Sequence, residues 1–201
     1  MRRCPSLPIF LLTGLAIASL TLLGPQEKSL GVNVRVVYLH GAWVWTALLA
    51  FLAAAMVGLV GLLLRIQELQ HWSRSLGRTG IIFWVTYLPI SLWAMQTNWN
   101  GLFLAEPRWR LGLVFAVGGL LLQIGVALIE DPAWASAANL VYFLTLLLAL
   151  RSTENVMHPA SPILSSEAWR IQLFFGGLLA LTLLAAAQLS WCIRRLEPDR
   201  H

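Results

Sequence analysis

Two histidines and one aromatic segment carry the side chains of this sequence that could bind a ligand or a metal. His40 lies in the stretch RVVYLHGAW at 35–43, and His158 lies in the stretch NVMHPAS at 155–161. The aromatic segment, residues 97–110, reads TNWNGLFLAEPRWR. A neutral imidazole is the commonest metal ligand, tryptophan rings pack on flat apolar groups, and arginines pair with carboxylates. These residue types predict a site for a metal-bearing, flat and anionic ligand, provided that the fold brings them together.

The composition predicts that membrane-spanning helices position these residues. Hydrophobic residues make up 58% of the chain and charged residues 11%, whereas about a quarter of an average soluble protein is charged. Apolar runs of spanning length use up most of the 201 residues, so we expect one transmembrane domain over 1–201. The net charge of +5 comes from arginines at the ends of these runs, which indicates membrane topology and not nucleic-acid binding.

Six apolar runs predict an all-α bundle of six transmembrane helices. The first run could also be a cleaved signal peptide, but a retained helix gives an even number of spans and a consistent charge pattern. Pro89 falls inside the third run, where neighbouring helices can tolerate a kink. Residues 65–80 are expected to be a basic connector. The predicted spans are 8–24, 41–64, 81–96, 111–129, 133–150 and 169–193.

With six spans, both termini lie on one side of the membrane, and the first, third and fifth connectors lie on the other. These connectors carry His40, the 97–110 segment and His158, so parity alone places the three on one face. Basic residues are slightly more numerous on the side of the termini, which predicts a multi-pass protein of the cytoplasmic membrane with both termini cytoplasmic. Cys4 and Cys192 fall at that inner face and are expected to be reduced there.

Six of the ten tryptophans fall into two groups. For some of them an interfacial belt, which membrane proteins have at both headgroup levels, is the expected role: Trp84, Trp134, Trp169 and Trp191. Trp99 and Trp109 instead lie in a connector with several other apolar residues. Such a loop is expected to cover something, either its own bundle or a flat apolar ligand.

A haem is the ligand that best fits this set of residues. Two neutral imidazoles, His40 and His158, can supply both axial ligands of the iron, and the tryptophans can cover the macrocycle. Either histidine alone is explained equally well by helix capping, and each arginine by interfacial charge. The candidate partners for the haem propionates are Arg108, Arg110, Arg151 and Arg170.

The sequence also argues against several classes of protein. Asp, Glu, His, Lys and Arg are absent from 41–64, 81–105, 111–129, 133–150 and 171–193. This absence disfavours a secondary transporter and a cytochrome with haem ligated in mid-membrane. The two cysteines form no Cys-x-x-Cys pair, and no Cys-x-x-Cys-His occurs, so covalent haem attachment is not expected.

In layout and in three local segments the chain resembles the haem-handling membrane proteins of cytochrome c maturation, particularly maturation protein C (CcmC). Residues 35–43 are similar to that family's R-I-x-(Y/F)-x-H-V-P-x-A-W, and 155–161 to its N-T-L-H-Q-x-A-S. Residues 104–108, LAEPR, resemble the end of its tryptophan-rich "WWD" loop, W-V-W-D-(P/A)-R. Most tryptophans of that loop are replaced here, and Glu106 stands in place of its aspartate.

The resemblance implies a function and a set of site residues. His40 and His158 would be the axial ligands, and Trp99, Glu106 and Arg108 would belong to the haem-facing loop. The haem would be held non-covalently, as a b-type haem, and only transiently, at the extracytoplasmic face. The protein would deliver it for cytochrome c biogenesis with an ATP-binding-cassette membrane complex and a haem chaperone as partners, and it would not be an enzyme.

Two other functions remain open at the level of sequence. One is a structural or assembly subunit of a respiratory complex that binds no haem and uses its histidines as helix caps. The other is a small-molecule permease with the outer aromatic loop as its gate.

Overall fold

The computed structural model of the chain describes residues 7–154, 156, 163 and 168–196, and these form an all-α fold. The described part contains six helices, in agreement with the predicted number and order. Their bounds are α1 Leu7–Leu22, α2 Val34–Leu63, α3 Gln67–Trp99, α4 Pro107–Ile129, α5 Pro132–Ser152 and α6 Trp169–Leu196.

Four of these helices, α2, α4, α5 and α6, are long and apolar enough to cross a membrane. They give the chain the character of a multi-pass membrane protein. The helix α1 is apolar but has only 16 residues, and α3 has 33 residues of which the first half is polar. The six-span bundle therefore stays a prediction with respect to α1 and α3.

The starts of α4 and α5 follow from two acidic caps. The carboxylate of Glu106 accepts a hydrogen bond from the backbone N–H of Trp109 at 2.9 Å, and that of Asp131 accepts one from Ala133 at 2.9 Å. A proline follows each cap at the first helical position, where its missing N–H costs nothing. The second cap permits the tight connection between α4 and α5 that the Glu-Asp-Pro sequence predicts.

The predicted connector at 65–80 is wrong, because α3 begins at Gln67 and runs unbroken through this stretch. Its polar side chains turn towards the apolar α2. Ser73 Oγ donates to the carbonyl oxygen of Ala54 at 2.8 Å, and Gln70 Nε2 donates to that of Gly61 at 3.1 Å. A high mean hydropathy marks helices whose side chains face lipid. The polar groups of this stretch instead form hydrogen bonds inside the bundle, so its low mean hydropathy wrongly predicts a loop.

Two charged side chains are also buried in the bundle. Arg74 in α3 and Arg194 in α6 are each 8% exposed, and Arg194 forms an ion pair with Glu68. Both arginines lie outside the apolar runs, so the lack of charge in those runs did not predict them. The runs themselves remain without these charges, so the prediction against a transporter is unchanged.

The start of the second helix was also placed too late. The helix α2 begins at Val34 and not near residue 41, so His40 lies almost two turns inside it and not in a connector. The extra turns are anchored by Arg35, whose Nε donates to the carbonyl oxygen of Gly24 at 3.0 Å. This bond holds a charged residue at the helix start, where hydropathy alone indicates a loop.

The parity argument is confirmed for the connectors that the structure describes. Asn33 Nδ2 donates to the carbonyl oxygen of Thr97 at 2.9 Å, and Arg108 Nη2 donates to that of Leu150 at 3.2 Å. The start of α2 thus meets the end of α3, and the start of α4 meets the end of α5, at one end of the bundle. Near the other end Cys192 is disulfide-bonded, so the expectation of reduced cysteines there is wrong.

Candidate functional site

A cavity of about 350 Å³ lies at the end of the bundle where these four helix termini meet. Along α2 it extends from Val37 to Leu48, which is about 16 Å at a rise of 1.5 Å per residue. Its walls are mainly apolar. The residues that line it are Leu30, Val37, His40, Gly41, Val44, Trp45, Leu48, Trp84, Tyr87, Ser91, Ala94, Met95, Trp99, Glu106, Arg108, Trp109, Leu150, Ile163 and Phe175.

The structure brings five of the six site residues that the sequence predicts to this one cavity. They come from three helices and one cap: His40 from α2, Trp99 from the end of α3, Glu106 from the cap of α4, and Arg108 and Trp109 from its first turn. Sequence reasoning placed them on one face by parity alone. The structure places all five around a single volume.

The sixth predicted residue, His158, lies outside the described residues. Two described residues of the wider stretch, Leu150 and Ile163, line the cavity. Ile163 also comes close to His40's neighbour in α2, since its Cδ1 lies 3.7 Å from the position of a Cβ on Gly41.

The aromatic segment splits into two parts with opposite surroundings. Asn100, in the left-handed region at φ 51°, ends α3 directly after Trp99. The apolar side chains that follow point away from the cavity, since Leu102, Phe103 and Leu104 are 54%, 42% and 47% exposed. That this segment covers a flat ligand stays a prediction. Its flanking helix turns line the cavity, and its apolar middle does not.

Two residues that line the cavity each carry a buried N–H donor without a hydrogen-bond partner among the described residues. The donors are Nε of Arg108 and the indole Nε1 of Trp109. The Nη2 atom of Arg108 is used, because it bonds to Leu150. A buried donor without a partner costs about 1–3 kcal/mol, so an acceptor that reaches either group, such as a carboxylate, would be stabilised.

The other candidate arginines take no part in the cavity wall. Arg110 Nε donates to the carbonyl oxygen of Leu104 at 3.1 Å, and Arg170 lies over the ring of Trp169 at 5.7 Å. Arg151 is exposed at the end of α5. Among the four, Arg108 is the one that lines the cavity, because the first turn of α4 points it inward.

Below the mouth, the cavity has aromatic walls that the sequence analysis missed. Trp84 was expected in an interfacial belt, but it is 2% exposed, lines the cavity and donates from Nε1 to the carbonyl oxygen of Gly112 at 3.0 Å. Because α3 starts at Gln67, Trp84 lies near the middle of this helix and not at its end. The other three belt tryptophans are exposed, as a belt requires.

A signal for this wall was present in the sequence. Trp84, Tyr87, Ser91 and Ala94 follow one another at spacings of three or four, which places them on one helical face. Tyr87 also contacts His40, the residue predicted to bind the metal, since the two ring centroids lie 5.8 Å apart. The face was overlooked because the surrounding residues are equally apolar.

The donor set limits what the cavity can hold. The described residues contain no group of three or more His, Cys, Asp or Glu that could hold a metal ion on their own. The imidazole of His40 can ligate a metal that arrives inside a larger molecule, and the apolar walls can hold the body of that molecule. Such an arrangement suits a flat apolar ligand with a metal centre and an anionic edge. Comparison of the chain with protein-family models, with curated proteins and with solved structures finds no match.

Proposed function

We propose that this protein binds haem in the cavity beside His40 and hands it on, as the resemblance to cytochrome c maturation protein C implies. One observation carries the proposal: His40, Trp99, Glu106, Arg108 and Trp109 line one apolar cavity although they come from separate segments of the chain. A structural subunit with histidines as caps does not need this convergence.

Each of these residues has a role that its surroundings allow. The imidazole of His40 supplies one axial ligand to the haem iron, and His158 is the proposed second ligand. Trp99 and Trp109 hold the macrocycle at the mouth of the cavity. The two buried donors, Arg108 Nε and Trp109 Nε1, receive a propionate of the haem.

Glu106 acts on the site through the backbone. Its carboxylate caps α4 by accepting from the N–H of Trp109, and this bond fixes the turn that presents Arg108 and Trp109. Where this chain has glutamate the resembling family has aspartate, and either side chain supplies the carboxylate acceptor.

The proposed function is handling of haem as cargo and not catalysis. Histidine ligands bind iron reversibly, so a partner that offers its own ligands can take the haem by exchange. By the resemblance, this takes place at the extracytoplasmic face of the cytoplasmic membrane. The proposed partners are an ATP-binding-cassette complex in the same membrane and a haem chaperone that serves cytochrome c biogenesis.

The test is an absorption spectrum of the detergent-purified protein from haem-sufficient cells. We expect a Soret band with six-coordinate low-spin features, changed by His40→Ala and by His158→Ala. His71→Ala is the matched control, because His71 lies near the start of α3 at the opposite end of the bundle. It should leave the spectrum unchanged.

Two other results would favour the alternative functions, a structural subunit or a permease. A colourless protein that takes up no added haemin would overturn the proposal and favour a structural subunit. Substrate-dependent uptake into vesicles that survives loss of both histidines would favour a permease.

A further inference from the structure

We infer that Tyr87 is the positioning residue that holds the imidazole of His40, and that Gly112 of α4 is what holds Tyr87. This inference rests on the proposed function, in which His40 binds the haem iron. The contacts that carry it are independent of haem.

Tyr87 lies between two aromatic neighbours in the wall of the cavity. Its ring centroid is 5.8 Å from that of His40 at an interplanar angle of 55°, and 4.8 Å from that of Trp84 at 64°. Tyr87 and Trp84 are 5% and 2% exposed, so neighbouring side chains hold both rings wherever they do not face the cavity. A side chain packed in this way keeps one rotamer, and His40 therefore has a fixed surface beside it.

The hydroxyl of Tyr87 lies against Gly112, where the glycine has no side chain. A Cβ added to Gly112 would lie 1.5 Å from the hydroxyl oxygen of Tyr87 and 2.8 Å from its Cζ. The hydroxyl thus occupies the space that any other residue at 112 would fill. The same glycine is bound from a second direction, because its carbonyl oxygen accepts the indole N–H of Trp84.

These contacts connect the two sides of the cavity. Gly112 lies one helical turn after Arg108, so the first turns of α4 carry both the proposed propionate donors and the contact to Tyr87. A displacement of the start of α4 towards or away from α3 moves Gly112 relative to Tyr87. The contact between Tyr87 and His40 then changes as well. Binding of the propionate at the start of α4 and binding of the iron at His40 are therefore coupled.

The coupling gives the site a route for release. A partner that draws the start of α4 outward weakens both holds at once, without touching His40. Regulation of the proposed haem site is therefore assigned to the contact between α3 and α4 at Tyr87 and Gly112.

The first test uses the purified protein without haem. The rate at which diethyl pyrocarbonate modifies His40 is measured by mass spectrometry of the peptide that contains it, in the wild type and in Tyr87→Phe, Tyr87→Ala and Gly112→Ala. The matched control is Gly119→Ala, about two helical turns further along α4. A Cβ there would meet Ile81 at 2.2 Å and the hydroxyl of Tyr142 at 2.8 Å, so it strains α4 without touching Tyr87.

We expect Tyr87→Ala and Gly112→Ala to speed modification of His40 by about fivefold, the effect of losing one aromatic contact. Tyr87→Phe keeps the ring and should stay near the wild-type rate. If Gly119→Ala speeds the reaction as much as Gly112→Ala does, general loosening of α4 is the cause and the inference is wrong. Equal rates in all variants overturn it too.

The second test uses the haem-loaded protein and separates the two proposals. Electron paramagnetic resonance of the ferric form should show altered low-spin g values in Gly112→Ala but not in Gly119→Ala. If the protein takes up no haem, the proposed function is wrong. The rates of His40 modification then still decide whether Tyr87 positions His40. Should Tyr87→Ala fail to purify as a monodisperse species, Tyr87→Leu removes the same ring contact with a smaller loss of volume.

Discussion

The guanidinium of Arg108 donates from Nη2 to the backbone carbonyl oxygen of Leu150 at 3.2 Å, which ties the start of α4 to the end of α5. Its Nε is buried without a hydrogen-bond partner among the described residues. One planar group thus joins two helices through its end and keeps an unused N–H donor at Nε.

The first prediction concerns the anionic edge of the ligand. Wild-type protein should bind haemin more tightly than haemin dimethyl ester, which keeps the ring and iron but lacks free carboxylates. Arg108→Gln should narrow this difference, because a hydrogen bond to a charged group contributes about 1.5–3 kcal/mol, or roughly tenfold or more in affinity. Titration by absorption spectroscopy measures both affinities.

Arg110→Gln is the control for this prediction, because Arg110 lies in the same helical turn but is exposed and bonds to Leu104. It should leave the preference for haemin unchanged. Equal affinity of the wild type for haemin and its ester would contradict the proposed carboxylate site but not the proposed binding of haem.

The second prediction compares the two acidic helix caps. Glu106→Ala and Asp131→Ala each remove a carboxylate that accepts one backbone N–H, so each should lower the free energy of unfolding by about 1 kcal/mol. Thermal unfolding in detergent measures both.

Only the first of these caps lies at the cavity, so only Glu106→Ala should weaken haemin binding. Glu106→Gln, which keeps an acceptor oxygen, should restore part of the loss. If Asp131→Ala weakens binding to the same degree, the effect comes from lower stability and not from the turn that presents Arg108 and Trp109.

The third prediction separates the two parts of the aromatic segment. Phe103→Ser should leave haemin affinity unchanged, because Phe103 is 42% exposed and does not line the cavity. Trp109→Leu should reduce the affinity, because it removes both a ring of the wall and a buried N–H donor. Loss of affinity in Phe103→Ser alone would show that the exposed loop closes over the ligand.

The fourth prediction concerns orientation. The charge bias predicts that the C-terminus lies in the cytoplasm, so a C-terminal fusion to green fluorescent protein should fluoresce and a fusion to alkaline phosphatase should be inactive. The opposite result would place the disulfide-bonded Cys192 in an oxidising compartment, where such bonds persist. The cavity would then open towards the cytoplasm.

The sequence by itself determined the helical class, the number of helices and the end of the bundle at which the candidate residues meet. These follow from apolar content and chain direction, because helices joined by short connectors must alternate and every second connector shares a face. His40, Trp99, Arg108 and Trp109 were found in this way.

The tertiary structure alone decided which side chains face the cavity. Trp84 changed from a belt residue to a wall residue because α3 continues through a polar stretch whose groups bond to α2. Phe103 and Trp109 are close in sequence and both aromatic, yet one is exposed and the other lines the cavity. In an apolar chain the hydrophobic pattern does not separate lipid-facing from interior surfaces, so close contacts such as that of Tyr87 with Gly112 make the distinction.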